Sequence, residues 1–361
     1  MTLTDADYMA RALFHAARGR GRTSPNPVVG AVVVSSDGVV VGQGYHARAG
    51  GPHAEVHALD MAGDRARGGT LYCTLEPCKH VGRTGPCGPR IADAGIARVV
   101  AAVEDPNPLV RGQGFEYLSS RGIKVEIGLG AAQASRLNQP FFTTMRAGRP
   151  FVILKAAISA DGCLAEAPGK RTALTSAAAN RHAHLVRAEV DAIAVGVGTV
   201  LVDDPVLTPR GVFRERPLTR VIFDRRLRTP PEAQVLSTRT SGPVIIVTTE
   251  ETAQQLDQRS RLEEFGATVV ATDGTIRGAL RALADRGVTS VLIEGGARLH
   301  AAAWDEQAVD FVRLYVTPHV LGPAGVRFLS GRRLLPAMLA DRHVAPIGPD
   351  VLIEGYVHGP C

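Results

Sequence analysis

Four side chains in the first third of the chain have the types and spacing of a catalytic zinc site. His53 and Glu55 are separated by one residue, and Cys78 and Cys87 follow with eight residues between them. One neutral imidazole and two thiolates are ligands that Zn²⁺ prefers, and three protein ligands leave a fourth position for water. The spacing predicts that His53, Cys78 and Cys87 bind the metal and that Glu55 acts as general acid and base.

The order of these residues resembles the signature of zinc-dependent nucleobase deaminases, in which His-x-Glu precedes Pro-Cys-x-x-Cys and the glutamate is not a ligand. Here eight residues, not two, lie between Cys78 and Cys87. The longer loop indicates a substrate other than tRNA adenosine. Its His80 and Arg83 have the chemistry to hold a phosphate. A polar loop exposed to solvent is the alternative interpretation.

Three other interpretations of the cluster stay open at this point. A structural zinc site needs a fourth protein ligand, for which His57 and Cys73 are the candidates. A zincin-like site would use His53 and His57, but that motif places its glutamate directly after the first histidine. Unligated core cysteines are the third alternative.

The elements predicted around these residues place them at helix starts. Pro52 suits the first position of a helix over 53–62, which puts His53 and Glu55 in its opening turn. Cys78 follows a predicted strand and a proline, so it is expected near a helix start that favours its thiolate. Apolar periodicity predicts a three-layer α/β unit ending near residue 145, with helices over 5–18, 53–62 and 88–94 and strands over 28–34, 39–44, 70–75 and 98–103.

The second half also alternates strands and helices, which favours one predominantly parallel sheet. Gly and Pro interrupt both patterns around residues 146–150, so we expect domains over residues 1–146 and 150–361. The predicted strands cover 151–158, 192–197, 220–223, 244–248, 268–271, 290–293 and 309–316. The predicted helices cover 176–187, 252–264, 276–286 and 297–304.

Two glycine-containing turns in the second half offer backbone amides to a dinucleotide. Gly196-Val197-Gly198-Thr199 follows a predicted strand, and Glu294-Gly295-Gly296-Ala297 precedes a predicted helix. Amides at such turns can bind pyrophosphate, whereas the sequence contains no Rossmann fingerprint after a strand. Glycines that serve only to bend the chain are the alternative. Lys155 lies in an otherwise apolar strand, where an unpaired ammonium is costly, so a partner or a role is expected.

Composition and charge narrow the classes of function. The 361 residues are 45% hydrophobic and 21% charged, as in soluble globular proteins. There is no run of about 18 apolar residues and no secretory signal in the first 30, so we expect a cytoplasmic protein without a membrane span. The net charge of +6 is spread along the chain, which suits small phosphorylated ligands and argues against nucleic-acid binding. Five cysteines, an odd number, argue against a disulfide framework.

Longer stretches resemble the bifunctional deaminase–reductase family of riboflavin biosynthesis, in the same order over nearly the whole chain. In the first half they are Asn26-Pro27-x-Val29-Gly30, Gly44-Tyr45-His46, His53-Ala54-Glu55-Val56-His57-Ala58, Thr74-Leu75-Glu76-Pro77-Cys78, Gly82-Arg83-Thr84-x-x-Cys87 and Asp105-Pro106-Asn107-Pro108. In the second half they are Leu154-Lys155-x-x-x-Ser159-x-Asp161-Gly162, Gly198-Thr199-Val200-x-x-Asp203-Asp204-Pro205-x-Leu207-Thr208 and Glu294-Gly295-Gly296.

The resemblance implies a cytidine-deaminase-like domain followed by a dihydrofolate-reductase-like domain. The first would use one Zn²⁺ to activate water for deamination of 2,5-diamino-6-ribosylamino-4(3H)-pyrimidinone 5′-phosphate. The second would then reduce the ribosyl group to ribityl with NADPH. The alternatives are a zinc deaminase of another nucleoside or nucleobase with a noncatalytic second domain, and a nucleic-acid-binding protein with a structural zinc. We also expect a homo-oligomer.

The resemblance also implies site residues, position by position. Substrate contacts in the first domain fall at Asn26, His46, His80 and Arg83. NADPH contacts fall at Ala157, Thr199, Asp203, Gly296, Ala297, Arg298, Leu299, His300, Ala301 and Ala302. Substrate contacts in the second domain fall at Lys155, Arg187, Leu207, Arg210 and Glu294.

Two pairs among these residues have more specific implied roles. Arg187 and Arg210 would hold the ribose phosphate, with ordinary surface arginines as the alternative. Lys155 and Asp203 would assist opening of the ribosylamine. The chain departs from the family pattern at three positions of the second domain, Arg171, Ala173 and Arg225.

Overall fold

The structure is a computed structural model that describes residues 3–79 and 85–359, apart from the side chain of Arg239. The chain forms two compact units, called the N-terminal and the C-terminal unit below. The boundary between them along the sequence falls between Ala147 and Gly148. Within the described residues, no helix is both long and apolar enough to span a bilayer.

The N-terminal unit contains a five-stranded sheet in the order β2-β1-β3-β4-β5. β1 is antiparallel to β2 and β3, whereas β3, β4 and β5 run parallel. Its elements are α1 (Asp5–Ala17), β1 (Gly30–Val34), β2 (Val40–Tyr45), α2 (Ala54–Ala62), β3 (Thr70–Cys73), α3 (Cys87–Asp93), β4 (Arg98–Ala101), α4 (Gln113–Ser120), β5 (Lys124–Ile127), α5 (Ala131–Leu137) and α6 (Gln139–Ala147).

Alternating side chains of β1 enter two apolar layers, one on each face of the sheet. Ala31 and Val33 belong to the core cluster that contains α2, whereas Val32 and Val34 pack with α1. Successive strand residues point to opposite faces, so this all-apolar strand is covered on both sides. The expected three-layer α/β arrangement is confirmed.

Glycines let α2 approach the sheet closely, which fixes the helix that begins at the metal centre. A Cβ on Gly42 would lie 2.0 Å from the Ala58 carbonyl oxygen, and one on Gly44 would lie 2.7 Å from that of Ala54. Because both obstacles are helix backbone, a larger residue at either position would push α2 away from β2.

The C-terminal unit is built on a nine-stranded sheet in the order β11-β10-β9-β8-β12-β6-β13-β16-β15. Its elements are β6 (Phe151–Ser159), β7 (Cys163–Ala165), α7 (Ala177–Glu189), β8 (Ala192–Gly196), α8 (Val197–Asp203), β9 (Thr219–Phe223), α9 (Gln234–Ser237), β10 (Val244–Thr249), α10 (Glu250–Ala253), α11 (Leu256–Glu264), β11 (Ala267–Thr272), α12 (Ile276–Ala284), β12 (Ser290–Gly295), α13 (Ala297–Asp305), β13 (Phe311–Thr317), β14 (Val326–Arg327), β15 (Ala340–Ile347) and β16 (Asp350–Tyr356).

The strand pairing confirms the predominantly parallel sheet that the alternation of elements predicts. Every neighbouring pair from β11 to β13 is parallel, and only β16 and β15 add antiparallel pairs at one edge. Sequence reasoning missed this hairpin because β15 is largely exposed and has no apolar alternation. β7 and β14 form a separate two-stranded sheet.

One predicted helix of the C-terminal unit is wrong, because residues 252–264 belong to two helices. Thr249 caps the first with its side chain, which accepts a hydrogen bond from the Thr252 backbone N–H, and α10 ends at Ala253. Gln255 leaves helical geometry with ψ of 80°, and α11 begins after it. Continuous helix formers hide such a break, which only backbone geometry shows.

Candidate metal centre and cofactor pocket

His53, Cys78 and Cys87 converge in the N-terminal unit. The Nδ1 atom of His53 lies 3.2 Å from the Cys87 Sγ and 3.5 Å from the Cys78 Sγ. One ligand atom from each residue lies within 4.8 Å of the other two. Two sulfurs and an imidazole nitrogen around one point are the donor set that suits Zn²⁺. The residues present therefore fit a zinc ion.

One detail of the predicted local structure around the ligands is wrong, the exact start of α2, whereas Cys78 does lie near a helix start, that of α3. His53, with φ of −73° and ψ of 163°, is the N-cap of α2, so the helix begins one residue after it and Pro52 lies outside. Cys78 lies in the loop after β3, and the helix start is at Cys87, the first residue of α3. The Cys87 backbone N–H donates to the Cys78 Sγ at 3.4 Å, which still favours a thiolate at Cys78.

Within residues 3–79 and 85–359, the structure argues against a fourth protein ligand. Among the described residues, the only metal-type cluster of three or more consists of His53, Cys78 and Cys87. His57 is exposed outside this cluster. Cys73 is fully buried, and burial raises the pKa of its thiol well above the ordinary value. Three ligands with one open position are typical of a catalytic site rather than a structural one.

The pKa values of the two cysteine thiols are shifted in opposite directions. A hydrogen bond from Cys87, supported by His53, lowers the pKa of Cys78 to about 4. The same interaction raises the pKa of Cys87. The two thiols are therefore coupled, and a divalent cation bound to both sulfurs would stabilise them as thiolates.

Glu55 lies in the first turn of α2 and is almost completely buried, with 3% of its surface exposed. Its Oε2 atom has no hydrogen-bond partner. Burial raises the pKa of this carboxyl above its ordinary value. A buried carboxyl with a free oxygen and a raised pKa suits a group that accepts and returns a proton.

The predicted substrate residues Asn26 and His46 lie beside the centre and contact each other. His46 Nδ1 lies 3.0 Å from the Pro52 carbonyl oxygen and must donate to it, so Nε2 accepts from the Asn26 Nδ2 at 3.1 Å. The His46 ring stands edge-on to His53 with 5.5 Å between centroids. Burial lowers the pKa of His46, which keeps this ring neutral. The predicted contacts at His80 and Arg83 lie outside the described residues.

The C-terminal unit contains a cavity of about 1040 Å³ at the carboxyl ends of its parallel strands. Open α/β sheets bind ligands at this edge. The predicted residues that line it are Lys155, Ala157, Thr199, Asp203, Glu294, Gly296, Ala297, Arg298, Leu299, His300 and Ala302. The predicted residues that do not line it are Ala301, Arg187, Leu207 and Arg210.

Sequence reasoning missed the cavity wall formed by the ends of β9, β10 and β11. It includes Asp224, Arg226 and Arg228 from the turn after β9, and Thr248 and Thr272 from the neighbouring strands. The signal that would have found them is positional, because residues at the carboxyl ends of adjacent parallel strands share one edge. The two departures Arg171 and Arg225 also line the cavity.

Two glycines before α13 allow the backbone to pass close to the cavity wall. Gly296 precedes α13 with φ of +90°, a conformation that favours glycine. A Cβ on Gly295 would lie 2.9 Å from the Thr199 Oγ1. This close approach holds the start of α13 against the first turn of α8, and backbone N–H groups at such a helix start can bind an anion.

Glu294 is the centre of an ionic cluster in the cavity. Arg187 donates to both of its carboxylate oxygens at 2.6 Å, and the Lys155 Nζ lies 3.6 Å away. Burial alone would raise the pKa of Glu294, but Lys155 and Arg187 outweigh it and hold the pKa at about 2. Lys155 thus has the partner that its apolar strand requires.

The other predicted residues of the C-terminal unit differ in their freedom to bind a ligand. The third donor group of Arg187 bonds to the Thr208 carbonyl oxygen at 3.1 Å, so its guanidinium is held within the protein. Arg210 is exposed, and its backbone N–H donates to His184. Leu207 is buried with φ of +58°. The Oδ1 atom of Asp203 is buried without a partner, and burial raises the pKa of this carboxyl.

Comparison with known proteins assigns each unit to a described family. Residues 3–103 match the family described as "Cytidine and deoxycytidylate deaminase zinc-binding region". Residues 150–353 match the family described as "RibD C-terminal domain". Both matches fall on the units that hold the metal centre and the cavity. They confirm the expected fold class, a cytidine-deaminase-like unit and a reductase unit with a dihydrofolate-reductase-like fold.

Whole-chain relatives carry both units in the same order. The riboflavin biosynthesis protein RibD of Escherichia coli is 38% identical, with 98% of this chain and 99% of that one aligned. The Aquifex aeolicus protein of the same name is 42% identical over 88% of each chain. The solved structure of Acinetobacter baumannii RibD superposes with a TM-score of 0.86 at 35% identity, covering 97% of this chain and 98% of that one.

A Thermotoga maritima structure carries the most explicit description. It is named a diaminohydroxyphosphoribosylaminopyrimidine deaminase/5-amino-6-(5-phosphoribosylamino)uracil reductase, and it superposes with a TM-score of 0.84 at 34% identity over 99% of this chain and 98% of that one. Since the identity exceeds 30% over nearly full length in several relatives, the chain belongs to the RibD family of riboflavin biosynthesis proteins.

Proposed function

We propose that the chain catalyses two consecutive steps of riboflavin biosynthesis. The N-terminal unit deaminates 2,5-diamino-6-ribosylamino-4(3H)-pyrimidinone 5′-phosphate, and the C-terminal unit reduces the ribosyl group of the product to ribityl. Zn²⁺ and NADPH are the cofactors. The observation that carries the proposal is the convergence of His53, Cys78 and Cys87 beside the buried, unpaired carboxyl oxygen of Glu55.

In the deaminase step, His53, Cys78 and Cys87 would hold Zn²⁺, which would supply Lewis-acid activation of a water molecule. Glu55 takes a proton from this water and returns it to the departing amine. Its raised pKa suits both transfers, because a carboxyl that holds its proton more firmly is a better base when ionised. His46, whose two ring nitrogens are both hydrogen-bonded, holds the amide of Asn26, which is placed to orient the pyrimidine ring.

In the reductase step, the residues that line the cavity would hold NADPH, which would supply the reducing equivalents. The start of α13 and the turn at Gly196 offer backbone N–H groups to its pyrophosphate. Lys155 lies on the cavity wall and donates a proton as the ribosylamine opens, while Glu294 holds the ammonium in position. Arg187 keeps Glu294 ionised and in place, and Arg210, which is exposed, is left to hold the substrate phosphate.

Two assays on the purified full-length chain test the proposal. Release of ammonia from the pyrimidine substrate tests the first step, and oxidation of NADPH with the deaminated intermediate tests the second. Ammonia release without NADPH oxidation would favour the alternative, a zinc deaminase with a noncatalytic second domain. Salt-dependent binding to RNA or DNA without ammonia release would favour a nucleic-acid-binding protein with a structural zinc.

We also propose a homo-oligomer. In the part of the chain that the structure describes, the nine-stranded sheet ends at β15, which pairs only with β16 and leaves its outer edge open. Val344 on this strand is 53% exposed. Open edges with apolar side chains are sites where a second chain can pair. Sedimentation of the full chain at several concentrations tests this, and a monomer throughout would contradict it.

A further inference from the structure

Glu76, which the proposed mechanism does not use, organises the polypeptide beside the metal centre. It lies in the loop after β3, the third residue beyond Cys73, and Pro77 separates it from the ligand Cys78. Its side chain is 4% exposed. A buried carboxylate is costly unless hydrogen bonds compensate it, so its partners indicate what it is for.

Three backbone N–H groups of one segment donate to this carboxylate. Asp105 and Gly112 donate to the Oε2 atom at 3.1 and 3.0 Å, and Gly114 donates to the Oε1 atom at 2.9 Å. All three belong to residues 105–114, called the clasp segment here, which ends in the first turn of α4. Hydrogen bonds to an ionised acceptor are about twice as strong as neutral ones. Glu76 therefore fastens the clasp segment to the end of β3.

The clasp segment in turn touches the residue before the ligand. A Cβ on Gly114 would lie 1.9 Å from the Pro77 carbonyl oxygen, so the two backbones are already in contact. On its other side, the Cys78 carbonyl oxygen accepts from the Gly88 N–H at 2.9 Å, next to the second thiolate ligand. Pro77 and Cys78 are thus held between the clasp segment and the start of α3.

We propose that Glu76 is a positioning residue for the metal centre, which places Cys78 within reach of His53 and Cys87 by fastening the clasp segment against Pro77. Glu76 does not touch the metal or the substrate, so its effect passes through Cys78. This inference rests on the assignment of Cys78 as a zinc ligand. Groups that orient metal ligands typically contribute about 10- to 100-fold to metal affinity.

The test measures zinc affinity of Glu76→Gln in the full-length chain, by competition between the metal-free protein and a chromophoric chelator. The amide keeps the shape but turns an N–H₂ group toward backbone donors. The dissociation constant should rise by about 10- to 100-fold. Asp5→Asn is the matched control in the same unit, because Asp5 pairs with Arg98 at the amino end of β4, opposite to the edge that leads to Cys78. Its zinc affinity should equal that of wild type.

Cobalt substitution gives a readout that a purely structural role would not move. The absorption bands of Co²⁺ bound to thiolates should shift in Glu76→Gln and stay unchanged in Asp5→Asn. Glu76→Asp, which keeps the charge but shortens the reach, should have an intermediate zinc affinity, and it decides the matter if the glutamine variant does not fold. Equal zinc affinity in wild type and in the Glu76 variants would overturn the role of Glu76 alone. A wild-type chain that binds no zinc would overturn the metal assignment as well.

Discussion

Each unit uses an enclosed glutamate in its proposed reaction, Glu55 in the N-terminal unit and Glu294 in the C-terminal unit, and the pKa values of the two carboxyls are shifted in opposite directions. Glu55 has an oxygen without a partner, and burial raises its pKa. Glu294 is just as enclosed, yet Lys155 and Arg187 hold its pKa at about 2. Burial therefore does not decide the role of a carboxyl; its neighbours do. The first is suited to moving protons, and the second is a fixed negative charge that positions cations.

The largest expected effect tests the proton-transfer half of this comparison. Glu55→Gln cannot carry a proton, so we expect deamination to fall by about 10² to 10⁴-fold, while reduction of supplied deaminated intermediate stays close to wild type. Ammonia release and NADPH oxidation are measured separately on the same preparation. Zinc content should be unchanged, because Glu55 is not a ligand. Loss of both activities together would mean that the two functions do not belong to separate units.

The next effect concerns the binding of zinc beside Glu55. Cys78→Ser removes one of the two sulfur ligands, so bound zinc should fall well below one ion per chain in metal analysis. Cys73→Ser is the matched control, since Cys73 is a buried thiol outside the ligand cluster and its loss should leave zinc content intact. If Cys78→Ser retains as much zinc as Cys73→Ser and the wild type, Cys78 is not a zinc ligand.

The sequence predicts the three side chains that the structure brings together, His53, Cys78 and Cys87, and the reason is physical. These side chains are rare, soft donors within one short stretch of chain, so their types and order alone indicate the chemistry. The exact helix starts could not be predicted: a proline fits several positions at a helix entry, and only the extended backbone of His53 shows where α2 begins.

The cavity of the C-terminal unit was less predictable because backbone and distant residues build it. Lys155 and Glu294 lie far apart in sequence, and only the parallel pairing of β6 with β12 brings them together. The partner of Arg187 was missed for the same reason. A phosphate was expected there, whereas the structure gives Glu294. Spacing along the chain carries no signal for such pairs, and the order of strands in the sheet supplies it.

A smaller effect tests the fixed-charge half of the comparison. Glu294→Gln leaves Arg187 and Lys155 without their counter-ion, so the free energy of unfolding at neutral pH should fall by about 3 to 5 kcal/mol. Because the folded pKa lies below the ordinary 4.5, ionised Glu294 stabilises fully above pH 4.5, and this is lost as pH falls through about 2. The difference between variant and wild type should therefore narrow on acidification.

Urea unfolding at a series of pH values measures this difference. Glu263→Gln is the control, because it removes an exposed ion-pair partner of Arg259 on α11 and should cost less than about 1 kcal/mol. A gap between Glu294→Gln and wild type that stays constant from neutral pH to about pH 3 would show that Glu294 is not held ionised by its neighbours.

The smallest effect concerns Arg225, a cation on the wall of the cavity. Arg225 is an exposed side chain on the cavity wall, and its Nη2 donates to the Gly274 carbonyl oxygen at 2.6 Å. A cation there should attract the phosphate groups of NADPH, but solvent screens exposed charges, so Arg225→Ser should weaken NADPH binding by only a few-fold, less than about 1 kcal/mol. Fluorescence titration at low and high salt measures the NADPH affinity, and the difference in affinity between variant and wild type should shrink as salt rises.

Arg286→Ser is the control, because Arg286 is also exposed but does not line the cavity, and the NADPH affinity of this variant should match wild type. If both variants lose affinity equally, the effect reflects net charge, and Arg225 has no specific contact with the cofactor.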